Sequence, residues 1–449
     1  MKKYFFCLLI LSAAFLVCNA QVEELRRRGA AGGQIAPLPD DLKTRLKIKN
    51  GVLVEAAVPQ SAAEAAGLQR GDVILKAGDV EVATPDEFVA LVRRFYGGDR
   101  LNLLLNRDGR EISKTLTLKP RPQETHPDFD ILYRTIVSNG VRRRVIVTKP
   151  KGEGKRNPAL LFLAGVGCYS QDNLSEDSVH RKIFYALTQK GFVTMRVEKS
   201  GMGDSEGADC MDPSVDFETE TAAYIEGLKA LKSYDFVDPA KVFLFGHSMG
   251  GISAPLVASN QTLAGIIVAG TVGKSWFEYE LENLRRQMLL GGASNDAVER
   301  EVRQKEYCNY RLYRLKETPE QISKDAPYCF TMSIQPPAPY TYMRQVADLN
   351  LAEKWKNVNA PVLVIYGSSD YLTSAEEHKY LTAMLNKYRP GSAWYLELPN
   401  TDHGFASVPS QAEAFQRARR SESPGEFNVE VLKKMEKWLF RKAEIIFRN

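Results

Sequence analysis

Histidine is rare in this chain, with five in 449 residues, so any chemistry that needs an imidazole has few places to find one. Cysteine is scarce too, at six, and no two stand in the Cys-x-x-Cys spacing of a structural zinc site. There is no internal repeat and no low-complexity tract. Neither charge sign dominates: the net charge is +5, with 26% charged and 44% hydrophobic residues, which excludes a polycation and a disordered tail. The basic runs Arg26-Arg27-Arg28 and Arg142-Arg143-Arg144 lack interleaved aromatics, so they read as solvated strand or linker surface and no nucleic-acid partner is expected.

A long apolar run is nearly absent as well. The stretch from Tyr4 to Val17 falls short of the roughly 20 residues that a spanning helix needs, so no stable membrane span is expected. Preceded by Lys2-Lys3 and followed by Cys18-Asn19-Ala20, it has the form of an export signal over residues 1–20, with a periplasmic or extracellular destination. A lipid-anchored end at Cys18 is the weaker alternative, because Val17 is bulky where a small residue is expected. An oxidising destination permits disulfides. Cys168–Cys210 and Cys308–Cys329 are the expected pairs, each within one structural unit, and free buried thiols are the alternative.

Residues 21–32, rich in Arg, Gly and Ala, read as a flexible N-terminus. From Gly33 to Pro120 the pattern is that of a compact α+β unit. Ser61-Ala-Ala-Glu64 is a capping box opening a helix that Gly67 ends, and Thr84-Pro85-Asp86-Glu87 opens a second. Val52-Leu-Val, Val73-Ile-Leu and Leu101-Asn-Leu-Leu-Leu are apolar runs of strand length. These segments, with Gly51-Val-Leu-Val and Gly71-Asp72-Val-Ile-Leu, resemble a PDZ domain of the bacterial periplasmic-protease kind. The resemblance implies a groove where a peptide C-terminus adds as a strand, its carboxylate held by backbone N–H groups. Gly33, Gln34 and Ile35 would form the peptide-facing loop, and Phe88, Leu91 and Val92 would line the groove from the second helix. A purely structural or assembly role is the alternative.

The polar, proline-broken residues 121–128 read as a linker. From 129 to 449, strand-like runs such as Ala159-Leu-Leu-Phe-Leu, Lys241-Val-Phe-Leu-Phe and Pro361-Val-Leu-Val-Ile-Tyr alternate with helix-length stretches. Such alternation predicts an α/β fold, a mostly parallel sheet with helices on both faces. Residues 272–350, helical and aromatic, interrupt it; an insertion of that size between strands is expected to be a cap over an active site. Its aromatics Trp276, Phe277, Tyr279, Tyr340 and Tyr342 either line an apolar pocket or form cap core.

The strongest chemical signal is Phe245-Gly246-His247-Ser248-Met249-Gly250-Gly251, which follows an apolar strand and precedes a helix-compatible stretch. That is the context Gly-x-Ser-x-Gly needs to stand a serine on a tight turn above a sheet. A serine hydroxyl attacks only with a base beside it, and the base needs an orienting group. His126 lies in the linker, His180 precedes the nucleophile on a helix, His247 points away on the elbow, and His378 reads as a surface helix residue. His403, in a loop after the last strand, is the candidate base. Asp370, just past the strand Val362-Leu-Val-Ile, is the candidate acid; Asp402, adjacent to the base, would point elsewhere. The oxyanion would be held by the N–H of Met249 and by Val166 in the loop after an earlier strand.

Residues 129–449 thus resemble an α/β-hydrolase of the esterase and serine-aminopeptidase group with a helical cap, helped by Lys199-Ser-Gly-Met-Gly-Asp-Ser-Glu-Gly207. The resemblance implies an exported serine hydrolase acting on small carboxyl esters, with no metal and no organic cofactor. A peptidase with the same triad, fed by the PDZ-like groove, is one alternative. An inert binding or scaffold protein is the other.

Overall fold

Several strands of the C-terminal domain carry apolar residues on both faces, so each must be covered twice. Ala159, Leu161 and Leu163 join one core while Leu160 and Phe162 join the other. The same alternation sets Val242 and Leu244 against Phe243 and Phe245, and Val362 and Val364 against Leu363 and Ile365. In the computed structural model, which describes residues 24–152, 154–330, 338–423 and 425–444, these strands form an eight-stranded sheet. Its spatial order is Ala393–Leu398, Val362–Gly367, Gly265–Ala269, Val237–His247, Asn157–Leu163, Val193–Val197, Val141–Pro150 and Phe129–Ser138. The strands up to Val193–Val197 run parallel, and the last two are antiparallel. The expected mostly parallel sheet is therefore present. The export signal, residues 1–20 with the alternative end at Cys18, lies outside the described residues.

Helices Phe217–Ser233 and Met249–Ala258 pack into one core, and Val179–Gln189 and Val429–Lys442 into the other. Between strands Gly265–Ala269 and Val362–Gly367 comes the helical insertion, including Trp276–Leu290, Asn295–Asn309 and Tyr340–Asp348. It is continuous with the first core: Leu312, Tyr313, Tyr342 and Met343 cluster with sheet residues, and Phe217 meets Tyr342 edge-on at 5.4 Å. Trp276, Phe277, Tyr279 and Tyr340 are partly buried and pack against that same core, while Tyr342 lies within it. Both expected disulfides, Cys168–Cys210 and Cys308–Cys329, are formed.

The N-terminal module is an antiparallel sheet ordered Gly33–Pro37, Val52–Ala57, Val73–Ala77, Arg100–Arg107 and Arg110–Thr117. Its helices Ala62–Ala65 and Pro85–Val92 begin where expected, with Ser61 and Thr84 side chains accepting the N–H groups of Glu64 and Glu87. The two glutamates reach one residue further back than in a standard box, to the N–H groups of Gln60 and Ala83.

Two expectations change where the module meets the domain. Residues 24–32 are not a free tail: Leu25 is buried, Gly29–Ala30 pairs with Lys119–Pro120, and Arg28 bridges to Tyr96. The basic runs are solvated only in part: Arg26 is largely exposed, but the Arg143 and Arg144 side chains are buried and Arg27 lies between Asp172 and Asp204. The linker 121–128 is itself anchored, since Glu124 forms a buried pair with Arg196 at 2.9 Å and also accepts from the Tyr185 hydroxyl. Arg27, Arg144 and Arg196 are internal because each meets a carboxylate, while Arg143 donates to the Glu206 carbonyl; these pairings are invisible in a linear pattern. Removing one partner of a buried pair strands the other, typically at a cost of about 3–5 kcal/mol. Glu124→Ala should therefore lower the unfolding free energy of the full chain by that order, read from the shift of its denaturant midpoint in chemical unfolding.

Candidate active site

Ser248 stands between the strand Val237–His247 and the helix Met249–Ala258, with φ 56° and ψ −122°. A side-chain-bearing residue tolerates that backbone only when its surroundings over-determine it. Here the neighbours are glycines because nothing larger fits: a Cβ at Gly246 would lie 2.4 Å from the Gly250 carbonyl oxygen, and one at Gly250 would lie 1.9 Å from that of Leu163. The Ser248 N–H donates to the Ala269 carbonyl at 2.9 Å, which ties the elbow to the next strand. The helix that follows turns its N-terminal N–H groups, Met249 first, toward the same rim, where negative charge is favoured.

His403 Nδ1 lies 2.9 Å from Asp370 Oδ2. Asp370 is buried and also accepts from the Thr373 hydroxyl and from the backbone N–H groups of Leu372 and Thr373. Burial alone would push Asp370 up, but its attraction to His403 and these hydrogen bonds hold it well below the usual carboxylate range. Burial, the largest single effect, likewise opposes the His403 imidazolium, but the Asp370 charge, its hydrogen bond and the Asp402 charge together outweigh it, so His403 is raised above its ordinary value. The pair lies over Gly270, where a Cβ would stand 3.0 Å from His403 Nδ1 and 3.4 Å from Asp370 Oδ2. Gly270 directly follows Ala269, the acceptor of the Ser248 N–H, so alcohol, imidazole and carboxylate share one rim of the sheet.

Two histidines differ from their expected places. His247 does not point away from the chemistry: its Nε2 lies 2.8 Å from the His403 carbonyl oxygen and its Nδ1 3.2 Å from His180 Nε2. Burial pushes both rings down, His180 to about 4, so each is neutral at pH 7. A neutral His247 that donates to a carbonyl must accept at Nδ1, which assigns the proton between the two rings to His180. His378 is not at the surface; it is buried, accepting the Thr271 N–H at Nε2 and facing the Ser374 carbonyl at Nδ1. The only sequence signal for His247 was its place beside Ser248.

Val166 belongs to the irregular loop 164–173 that follows strand Asn157–Leu163. That loop is held from below: Gly165 O accepts from Lys199 Nζ at 2.8 Å and from the Tyr169 hydroxyl at 3.0 Å. Glu198, pushed up by burial to about 7, accepts the Gln171 and Asp172 N–H groups at 2.8 and 3.1 Å.

This arrangement has counterparts. Residues 176–395 match the family model described as serine aminopeptidase, S33, and residues 53–107 match a PDZ domain model. The chain has the α/β-hydrolase fold, with a PDZ-like domain in front of it. Esterase EstD of Thermotoga maritima is 25% identical over 248 residues, covering 55% of this chain and 54% of that one. The chain thus spans about half the length of that relative. A probable periplasmic serine endoprotease, DegP-like, of Marinomonas sp. is 33% identical over 75 residues, 17% of this chain and 16% of its own. Est1E from Butyrivibrio proteoclasticus, solved with ferulic acid, covers 68% of this chain and 99% of its own at 17% identity and a TM-score of 0.44. No helix among the described residues of the hydrolase is long and apolar enough to cross a membrane.

The PDZ domain presents Gly33–Pro37 at the edge of its sheet, with Gln34 exposed and Ile35 turned toward the interior. Phe88, Leu91 and Val92 do not line an open groove: they are buried in the domain's own core, and Val89 is the exposed apolar residue of that helix. Period 3.6 explains the difference, since the residues that anchor the helix to the sheet are those with the strongest apolar spacing.

The electrostatics make a sign prediction. His403 accepts a proton only when neutral, so ester turnover should rise with pH through an inflection above 6.5, the ordinary histidine value from which it is raised. Asp370→Asn removes the principal cause of the raise and leaves burial, so the inflection should move to lower pH while kcat falls about 10³- to 10⁴-fold. A pH profile of kcat/KM for both proteins measures this.

Proposed function

We propose that this protein is an exported serine hydrolase cleaving carboxyl esters through an acyl-enzyme on Ser248. The observation that carries the proposal is the 2.9 Å contact between His403 and Asp370 over Gly270, on the rim where Ser248 stands strained at the elbow. Export is supported by the Lys2-Lys3 and apolar run of residues 1–20, and by the pairing of all four later cysteines into disulfides.

In the proposed cycle, His403 Nε2 takes the Ser248 hydroxyl proton as Oγ bonds to the ester carbonyl carbon, and the carbonyl π electrons move to oxygen. The N–H groups of Met249 and Val166 receive that oxyanion. Collapse breaks the bond to the alcohol, which leaves with the proton from His403. Water then adds to the acyl-enzyme by the same steps, regenerating Ser248 and releasing the acid. Asp370 holds the ring with Nε2 toward the serine and balances the imidazolium that forms in each half.

Cleavage of peptide or amide bonds by the same groups is the second reading, favoured by the serine-aminopeptidase family model over residues 176–395 and by the PDZ domain, a fold that captures peptide ends. Assays on short p-nitrophenyl esters set beside aminoacyl amides and peptides distinguish the two, and amide turnover exceeding ester turnover would favour the second. Ser248→Ala should abolish both fluorophosphonate labelling and turnover, about 10⁶-fold in kcat, with an unchanged unfolding midpoint. Undiminished turnover by that variant would remove the assignment.

A further inference from the structure

Loop 164–173 has no regular secondary structure, so its shape is set by what cross-links it. It is joined twice to the turn of residues 200–212. One joint is covalent, Cys168–Cys210. The other is ionic and comes from the opposite end of the chain. Arg27, in the segment leading into the PDZ domain, places Nη1 2.8 Å from Asp172 Oδ2 and 2.5 Å from Asp204 Oδ2. Both carboxylates are almost wholly buried, with side chains 1% and 0% exposed. Asp204 has a second cation in Arg144, whose Nε is 3.2 Å away. Asp172 otherwise accepts from the Tyr133 hydroxyl and the Asn173 amide, which are neutral.

The guanidinium is fixed from its other side as well. Its Nε donates to the Arg121 carbonyl at 3.0 Å, its Nη2 to that of Pro122 at 2.6 Å, and its plane lies 4.6 Å from the Tyr133 ring. The same segment is stitched to the PDZ domain: the Arg27 carbonyl accepts from Gly97 N–H, Gly29 N–H donates to Phe95, and the next strand begins at Gly33. Arg28 completes the seam, its N–H donating to Asp204 Oδ1 at 2.8 Å. Without Arg27, two buried carboxylates would face each other with one cation remaining. Asp172 would have to protonate or turn outward, and either change removes the ionic tie at the far end of the loop in which Val166 lies.

We propose that Arg27 is a positioning residue of the oxyanion loop, so that the segment leading the PDZ domain is a working part of the hydrolase site. The proposal rests on the reading of Ser248 and Val166 given above. It gives the segment that leads into the PDZ domain a part in turnover that requires no peptide bound to that domain.

The test compares full-length Arg27→Ala, Arg27→Lys and Arg26→Ala on a p-nitrophenyl ester and in fluorophosphonate labelling. Arg26, largely exposed and paired with Asp99 of the PDZ domain, is the control for loosening of the segment in general. Arg27→Ala should lose about 10- to 100-fold in kcat, a part of what deleting an oxyanion donor costs, with KM changed less than about twofold. Its labelling rate should fall in parallel, while the pH inflection that reports His403 stays in place. Arg27→Lys, which keeps the charge and loses the fork, should fall between, and Arg26→Ala should match the parent. A folded Arg27→Ala with unchanged kcat overturns the proposal, as does a loss expressed only in KM or an equal loss in Arg26→Ala. If Arg27→Ala does not fold, Asp172→Asn, which keeps its neutral partners, should show the same fall in kcat, and parent-like kcat in that variant is equally fatal. Failure of the parent itself to label would instead defeat the Ser248 reading.

Discussion

The crowding around Gly250 is the constraint on which the rest of the site depends. The elbow helix approaches strand Asn157–Leu163 so closely that a single methyl group at position 250 would collide with the Leu163 carbonyl. That approach forces the backbone at Ser248 into a conformation it would not choose, lifts its hydroxyl above the sheet edge, and turns a helix N-terminus toward it. Because Leu163 is also the last residue before loop 164–173, the same contact sets where the Val166 loop leaves the sheet. Ser248 and the loop that carries Val166 are therefore placed by one packing event.

Around this point the chain separates its histidines by environment. Four of the five sit within or beside the site, and three of those are neutral because burial disfavours their charged forms. Only His403, with a carboxylate against its ring, is pushed the other way. His247 and His180 form a neutral relay of hydrogen bonds ending on the backbone of His403, while His378 supports the backbone of Thr271. The asymmetry suits a group that must gain and lose a proton while its neighbours must not.

The junction between the two domains is built from charge. Arg27, Arg144, Arg196, Asp172, Asp204 and Glu124 are all largely withdrawn from water, and each pairs across a boundary that the linear pattern marked as tail or linker. Buried pairs of this kind contribute little net stability relative to apolar packing, but they are specific, since a guanidinium fork accepts few geometries. The PDZ domain is thereby fixed at one orientation against the loop that follows the first central strand.

How much of this was legible beforehand follows from the range of each signal. Alternating apolar runs, helix caps at Ser61 and Thr84, and the glycine-flanked serine are local patterns whose meaning is set by sterics within a few residues, so the fold class, the elbow and the disulfide pairs could be read directly. Asp370 and His403 were legible through their positions just past strand ends, which a parallel sheet brings to one rim. The role of His247, the burial of His378, the inward turn of Phe88, Leu91 and Val92, and the pairing of Arg27 with Asp172 and Asp204 were not. Each of these depends on which distant group lies opposite a side chain and on how much water is excluded there. Residues 27 and 204 are joined only by the folded arrangement of everything between them, and a one-dimensional pattern carries no record of that distance.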